Sequence, residues 1–549
     1  MKRHSTGALT QKDLDKQDKI YSQGHDYDFV IIGTGNSALT AGALLANAGK
    51  RVCLLEAHDL PGGYAHTFKM GDYAFCAQVH YIWGCAPGGK IYEFLKKIGL
   101  EKDITFELYD PTGYDHMIMP DGKRVKIPFG FDKLAENIEE AYPGQKQNVE
   151  RFCKILSDIR RELSNFPSRD IKWWEYLTKG LSFRTLLRYR NKTLQDVFNE
   201  CKLSKEAQAV LCAQAGDFGS PPNELSLFPY AGLFGGYNIG AYYPTKHYKY
   251  YIERLAKFIT DHEGCHIYYE TPVNKINTDK ENVLSVETKD GKIFTAGNYL
   301  CNMDPQSAAK IIGWEKFPES FKSSLSYKYS PAGIMIYLGM KESFDPKKYG
   351  LGKHNTWHLT QWDMNKMWDE EAKGDFSNPW WFMSTPTEHS NYPGTAPKGG
   401  HILEIATFTD YKLFKDAQDK SYVEYLKLKN SIANRLLDLV EKYHIPDLRK
   451  HIAVTTIGSP TTSEDFVVAH KGNAYGSLMT PKQMALGRLK AKTPWKNLFW
   501  CNASSGYAGI YGTVHTGVQL YMELTGDNFF DSSKSPSDDE VIAALRNAQ

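Results

Sequence analysis

Apolar residues in this chain fall into short β-branched runs separated by glycine-rich turns and by stretches of helical period. Such an alternation predicts an α/β fold. The clearest unit starts after Asp28. Phe29-Val30-Ile31-Ile32 reads as a buried parallel strand, and Gly33-Thr34-Gly35-Asn36-Ser37-Ala38 as a tight turn. Residues 39–48 read as a helix closed by Gly49, and 51–55 as a second strand ending at Glu56. Later the pattern predicts a helix at 251–260 and a strand at 265–269. A hairpin follows at 283–295, turning at Asp290-Gly291, then a return strand at 299–302. Near the end, 495–500 reads as a strand, and 506–514 opens a helix that runs through Tyr521.

Two uncharged stretches of 21 residues, 29–49 and 225–245, are long enough to mimic a membrane span. The first holds the glycine turn, and the second holds Pro229, Pro244 and four glycines, so neither reads as a spanning helix. With 549 residues, 42% of them hydrophobic, the chain has the material for three or four lobes. Its net charge of +2 gives no global field for nucleic acid. Nine cysteines without a C-x-x-C pair argue against a disulfide framework and for a reducing, cytoplasmic setting. Residues 1–26 lack the apolar core of a signal peptide and read as a flexible or surface-bound extension.

The strand–turn–helix–strand unit is what a dinucleotide needs. Gly33 permits the sharp turn, Gly35 lets the backbone approach a pyrophosphate, and Ala38 permits close helix–strand contact. The helix start, with Asn36 and Ser37, offers amides and partial positive charge to phosphate. Glu56, 21 residues after Gly35, suits a ribose diol and disfavours a 2′-phosphate.

Beyond the second strand lie Asp59-Leu60-Pro61-Gly62-Gly63-Tyr64-Ala65-His66-Thr67-Phe68 and then Val79-His80-Tyr81-Ile82-Trp83-Gly84. Here the chain resembles the phytoene desaturase, carotenoid isomerase and retinol saturase group of amine-oxidase-like flavoproteins. The H-T-F and H-Y-I elements match, while Cys76 and Gln78 replace the group's usual Asp and Gly. Gly472-Asn473-Ala474-Tyr475-Gly476 and Gly509-Ile510-Tyr511-Gly512 resemble two later motifs. Asn502-Ala503-Ser504 stands where a Gly-x-Asp is usual, which removes a carboxylate.

This resemblance implies FAD as cofactor. It would be held by Gly33, Gly35, Asn36, Ser37, Ala38, Glu56, Ala57, Gly62, Gly63, Tyr64, His66, Thr67, Val273, Gly509, Ile510, Gly512, Thr513 and Val514. It implies a Rossmann-like FAD-binding domain, with parallel sheet and β-meander, interleaved with a mixed α+β substrate domain. The expected division is 27–84, 245–313 and 480–530 for the first, 85–244 and 314–479 for the second, and 531–549 for a tail. The implied activity is an oxidoreductase of an apolar polyene or isoprenoid, as desaturase, saturase or isomerase. His66, His80, Tyr81, Tyr507 and His515 are candidate catalytic residues by their place beside flavin motifs.

Two other functions stay open: an amine- or lipid-oxidising flavoprotein, for which the cap shows no charged anchor, and a non-catalytic lipid carrier. The electron partner is unspecified. Residues 171–192, with six basic residues and one acid among aromatics and leucines, are compatible with two helices at a peripheral membrane surface or with a surface helix pair. The 225–243 run reads as the lining of an apolar tunnel or as an irregular core connection. His354 and His358 have an i, i+4 spacing without an evident third ligand, so no metal is expected.

Overall fold

The structure, a computed structural model, describes residues 6–165 and 180–547. Its central layer is a five-stranded sheet in the order Leu498–Trp500, Ala296–Cys301, Tyr27–Ile32, Val52–Leu55, His266–Tyr268. Every ladder in it is parallel. Tyr27–Ile32 lies in the middle and is buried along nearly its whole length, which is why its sequence is an apolar run rather than an alternation. The hairpin 283–295 is present as Val283–Thr288 against Ile293–Phe294, and Val273–Thr278 completes a three-stranded meander.

The helices Asn36–Asn47 and Gly509–Thr525 lie against one another on this sheet. Their approach is close because Gly517 has no side chain. A Cβ there would come within 2.7 Å of the Ser37 carbonyl and of Thr40 Cβ. The resulting core is dense and apolar, with Leu39, Leu44, Leu45, Val514 and Val518 wholly buried.

The second layer is a seven-stranded mixed sheet in the order Ile452–Gly458, Ala332–Met340, His401–Thr409, Trp380–Ser384, Asn355–Leu359, Asp115–Ile118, Arg124–Ile127. Only Asn355–Leu359 with Asp115–Ile118 runs parallel in it; the other ladders are antiparallel. The architecture is therefore α/β, as the pattern predicts, with strands 115–118 and 124–127 brought to a sheet whose other members lie beyond residue 330.

The 225–243 run is not an irregular core connection. It contains a helix, Leu227–Asn238, buried on most sides. Its glycines are contact surfaces. A Cβ on Gly235 would strike Arg160, and one on Gly236 would strike Trp83. A helix that is apolar all round has no amphipathic period, so the sequence pattern does not reveal it. Of the proposed membrane-facing pair, residues 171–179 lie outside the described residues. The remainder forms Gly180–Phe183 and the helix Arg184–Tyr189, where Leu186 and Tyr189 are buried and Leu187 is exposed. Among the described residues, no helix is long and apolar enough to cross a membrane. The N-terminal extension carries a helix, Gln11–Ser22, held to the body through Gln17 and the Tyr269 backbone and through Tyr21 on Phe294.

Candidate functional site

The glycine turn follows the central strand. Gly33 takes φ +101°, a conformation that L side chains rarely adopt. Thr34 then donates its amide to Glu56 Oε2 at 2.8 Å and its hydroxyl to the same oxygen. Glu56 Oε1 accepts the His58 amide at 2.8 Å. The carboxylate at the end of the second strand is thereby fixed beside the turn. Gly62 (φ +112°) and Gly63 bring a second segment over it, with a Cβ on Gly63 only 3.4 Å from Gly35 Cα.

Asn302 is the side chain that organises this turn. It follows the strand Ala296–Cys301 and accepts the Gly35 amide at 2.9 Å on Oδ1. Its Nδ2 donates to Ser37 Oγ at 2.9 Å and to the Cys501 carbonyl. A Cβ on Gly35 would come within 2.4 Å of Asn302 Oδ1. In this structure, then, the missing side chain of Gly35 makes room for Asn302, not only for a phosphate.

Two helix N-termini open beside the turn. Neither Asn36–Asn47 nor Gly509–Thr525 has a side-chain cap on its first amides. They are tied together by Asn36 Nδ2, which donates to Thr513 Oγ1 at 2.8 Å and to the Ile510 carbonyl at 3.3 Å. Space is open at Gly509, where a Cβ would meet nothing within 4 Å. Uncapped amides and the positive ends of two dipoles, converging next to a fixed carboxylate, fit an anionic dinucleotide with a ribose. Ala38 is buried beneath the turn, and Val514 beneath the second helix start. Ala57 and Val273 lie half-buried past the edge of the parallel sheet, Val273 opening the meander strand.

The segment beyond Gly63 is held from both sides. Tyr64 donates to the Asn473 carbonyl at 2.6 Å, so the late glycine–tyrosine motif does meet this loop. His66 Nδ1 donates to the Gly63 carbonyl at 2.7 Å, and burial lowers its pKa to about 4, leaving the ring neutral. Thr67 Oγ1 is buried without a partner. Cys76 pairs with Thr67 across a two-stranded ribbon, and Gln78 Nε2 donates to Ser463 at 3.3 Å. Residues 78–83 then run from this loop to Trp83, whose ring stacks on Tyr511 at 3.4 Å.

The candidate catalytic residues separate into four places. His66 sits in the loop. His80 Nδ1 donates to Glu404 Oε2 at 2.9 Å, and Ser384 Oγ donates to the same oxygen at 3.0 Å. Tyr81 points into the second layer, where its hydroxyl lies 2.7 Å from Asp217 Oδ2 and 3.1 Å from Asp115 Oδ2. Tyr507 and His515 share the last helix region. Tyr507 is 43% exposed and lies under the Arg488 guanidinium. His515 lies against Lys90 Nζ, and burial lowers the Lys90 pKa to about 7. Burial and the Lys90 charge together hold His515 well below its ordinary value.

Five polar residues at these places have no motif in the sequence: Asn302, Glu404, Asp115, Asp217 and Arg488. Arg488 binds backbone, donating to the carbonyls of Gly506, Ala503 and Ser477, and burial brings its pKa down to about 10. Against the reading that the cap has no charged anchor, Glu404, Asp115 and Asp217 place carboxyls within it. One signal could have found them, since each is a lone acid within an apolar or glycine-rich run. Asn502 fills its loop, accepting the Ser504 and Ser505 amides at 3.1 Å and donating to the Met303 carbonyl at 3.0 Å. His354 and His358 go to different partners, His354 stacking on His116 and His358 bonding His444.

Comparison with known proteins agrees with this geometry. The family described as flavin containing amine oxidoreductase matches residues 39–519. An all-trans-retinol 13,14-reductase of Danio rerio is 24% identical over 91% of this chain and 87% of its own. A chloroplastic prolycopene isomerase of Arabidopsis thaliana is 25% identical over 91% of this chain and 83% of its own. The solved structure of putrescine oxidase bound to putrescine aligns with TM-score 0.63 at 15% identity, covering 91% of this chain and 99% of that one.

Proposed function

Because this chain belongs to the flavin containing amine oxidoreductase family, we propose that it is an FAD-dependent oxidoreductase acting on C–C or C=C bonds of an apolar polyene or isoprenoid lipid. The observation that carries the FAD reading is the pair of uncapped helix starts, Asn36 and Gly509, tied together beside the turn that holds the Glu56 carboxylate. The substrate reading rests on the relatives named for retinol and prolycopene and on the aromatic interior next to residues 78–83.

Gly33 through Ala38 would hold the pyrophosphate by backbone amides, Glu56 with Ala57 the ribose, and Val273 the adenine side. Gly62, Gly63, Tyr64, His66 and Thr67 would follow the middle of the coenzyme. Gly509 through Val514 would face the flavin end. Bound there, FAD would supply two-electron chemistry over a dry cavity. The chain's own part is orientation, exclusion of water and proton handling by the groups around His80 and Tyr81. We take 27–84, 245–313 and 480–530 as the FAD-binding part and 85–244 and 314–479 as the substrate part.

The test is an absorption spectrum of purified protein with FAD, followed by turnover of retinoid and carotenoid substrates with oxidised and with reduced flavin. A flavin spectrum and a changed polyene chromophore are expected. A protein that stays colourless with added FAD would favour the carrier reading. The cap carboxyls Glu404, Asp115 and Asp217 favour amine oxidation as a second reading, because they could anchor a cation. Bleaching of the flavin by diamines, with none by polyenes, would select it.

A further inference from the structure

Tyr81, Asp115 and Asp217 come from separate parts of the chain and meet in one hydrogen-bonded line. Asp115 begins an interior strand of the second sheet, Asp217 lies in the 3-10 turn Ala213–Phe218, and Tyr81 lies in the 78–83 segment. A phenol has one proton to donate and lone pairs to accept with. With contacts of 2.7 Å to Asp217 Oδ2 and 3.1 Å to Asp115 Oδ2, the hydroxyl joins the two carboxyls when one of them is protonated. Asp217 O–H then donates to Tyr81, and Tyr81 donates to ionised Asp115. Gln214 Nε2 donates to the same Asp115 oxygen, which favours ionisation on that side.

The surroundings are phenolic. The ionisable groups facing the pair are Tyr81, Tyr109, Tyr114, Tyr237 and Tyr475. Tyr237 stacks on Tyr81 at 4.1 Å. The groups acting on Asp217 are Tyr81 and Asp115, and none is a Lys or Arg. Two carboxylates without a cation cannot both stay ionised in such a place. Burial raises Asp217 to about 8 and Asp115 to about 6.

Asp217 differs from its partners in one respect. Asp115 and Tyr81 are buried, whereas Asp217 retains accessible surface. Beside it stands Tyr475, whose hydroxyl donates to the Gly216 carbonyl at 3.4 Å and whose neighbour Gly476 packs on Ser504 in the last glycine loop.

We propose that Asp217 is the general acid and base of the reaction, exchanging one proton with a polyene carbon, and that Tyr81 and Asp115 are positioning residues that hold that proton on it. The inference rests on the polyene reading above. In saturation, one carbon of the C=C takes hydride, with its two electrons, from reduced flavin. The other carbon takes the Asp217 proton, and the new C–H bonds replace the π bond. Asp217 is left ionised, flavin is left oxidised, and solvent returns the proton. Desaturation reverses each transfer, with oxidised flavin as acceptor.

Infrared spectroscopy of protein with carboxyl-labelled aspartate, before FAD is added, reads the proton directly. A protonated aspartate band is expected at pH 7, lost as pH rises through about 8 and absent in Asp217→Asn. With FAD and a polyene, Asp217→Asn should keep its flavin spectrum and KM while kcat falls about 100-fold. Tyr81→Phe and Asp115→Asn should move the basic limb of the kcat profile, which loss of packing alone would not do. No protonated aspartate at pH 7, or a kcat for Asp217→Asn within about threefold of wild type, would overturn the proposal. If wild type converts no polyene while the band is present and assigned to Asp217, the polyene reading fails, the catalytic role falls with it, and the shared proton stands. If polyenes are converted without the band, the proposal alone fails.

Discussion

The two layers of this molecule handle charge in opposite ways. At the glycine turn the groups that would meet a coenzyme are backbone amides and helix ends, with one carboxylate, Glu56, held by two amides and a hydroxyl. In the second layer Tyr81, Asp115 and Asp217 are side chains from distant segments, set among aromatic rings, and no Lys or Arg acts on Asp217. The first arrangement is pre-paid by backbone geometry and tolerates few residues other than glycine. The second depends on which protonation state the interior permits.

The comparison breaks most severely at Gly35. Valine there meets Asn302 Oδ1, so Gly35→Val should lower bound flavin by at least about tenfold, read as flavin absorbance per chain after desalting. Asn302→Ala at the same turn separates the two uses of the glycine. If Gly35 serves mainly Asn302, the double variant Gly35→Ala, Asn302→Ala should regain flavin relative to Gly35→Ala alone.

Arg488 tests whether backbone carbonyls can substitute for a counter-ion. Arg488→Met strips donors from three carbonyls and should cost about 3 kcal/mol in denaturant unfolding. A loss below about 1 kcal/mol would mean that water replaces it.

Asp217 gives a sharper pH signature. Its folded pKa of about 8 stands above the ordinary 3.8, so the folded state keeps a proton that the unfolded chain releases. Wild-type stability should therefore fall relative to Asp217→Asn as pH rises from about 4 to about 8, and the gap should then stay constant. Melting temperatures across that range check the slope.

Lys90 is expected to show the opposite slope and the smallest effect. Its pKa is lowered to about 7 from 10.5, so the folded state resists a proton that the unfolded chain holds. The resulting penalty is full below about 7 and fades as pH rises toward 10.5. Lys90→Met should raise Tm by about 2–4 °C at pH 6. The gain should shrink with rising pH.

The glycine turn was legible because its chemistry is local. Phe29 to Glu56 form strand, turn, helix and strand within one stretch, and the spacing from Gly35 to Glu56 is set by helix length. The helix Leu227–Asn238 was not legible, because a segment apolar on all sides carries no period. Asn302, Glu404, Asp115 and Asp217 were hidden for a different reason: each is a single polar residue whose partner lies far away in sequence.

What the chain alone determined is therefore the α/β plan, the parallel order of its N-terminal strand–turn–helix–strand unit and the glycines that leave amides open, since these follow from periodicity and backbone sterics. The tertiary structure alone decided that Tyr81 would stand between two carboxyls, that Arg488 would lie among carbonyls and that Gly35 would face Asn302. Those outcomes depend on packing across hundreds of residues, and burial, not residue type, sets the charge each group can carry.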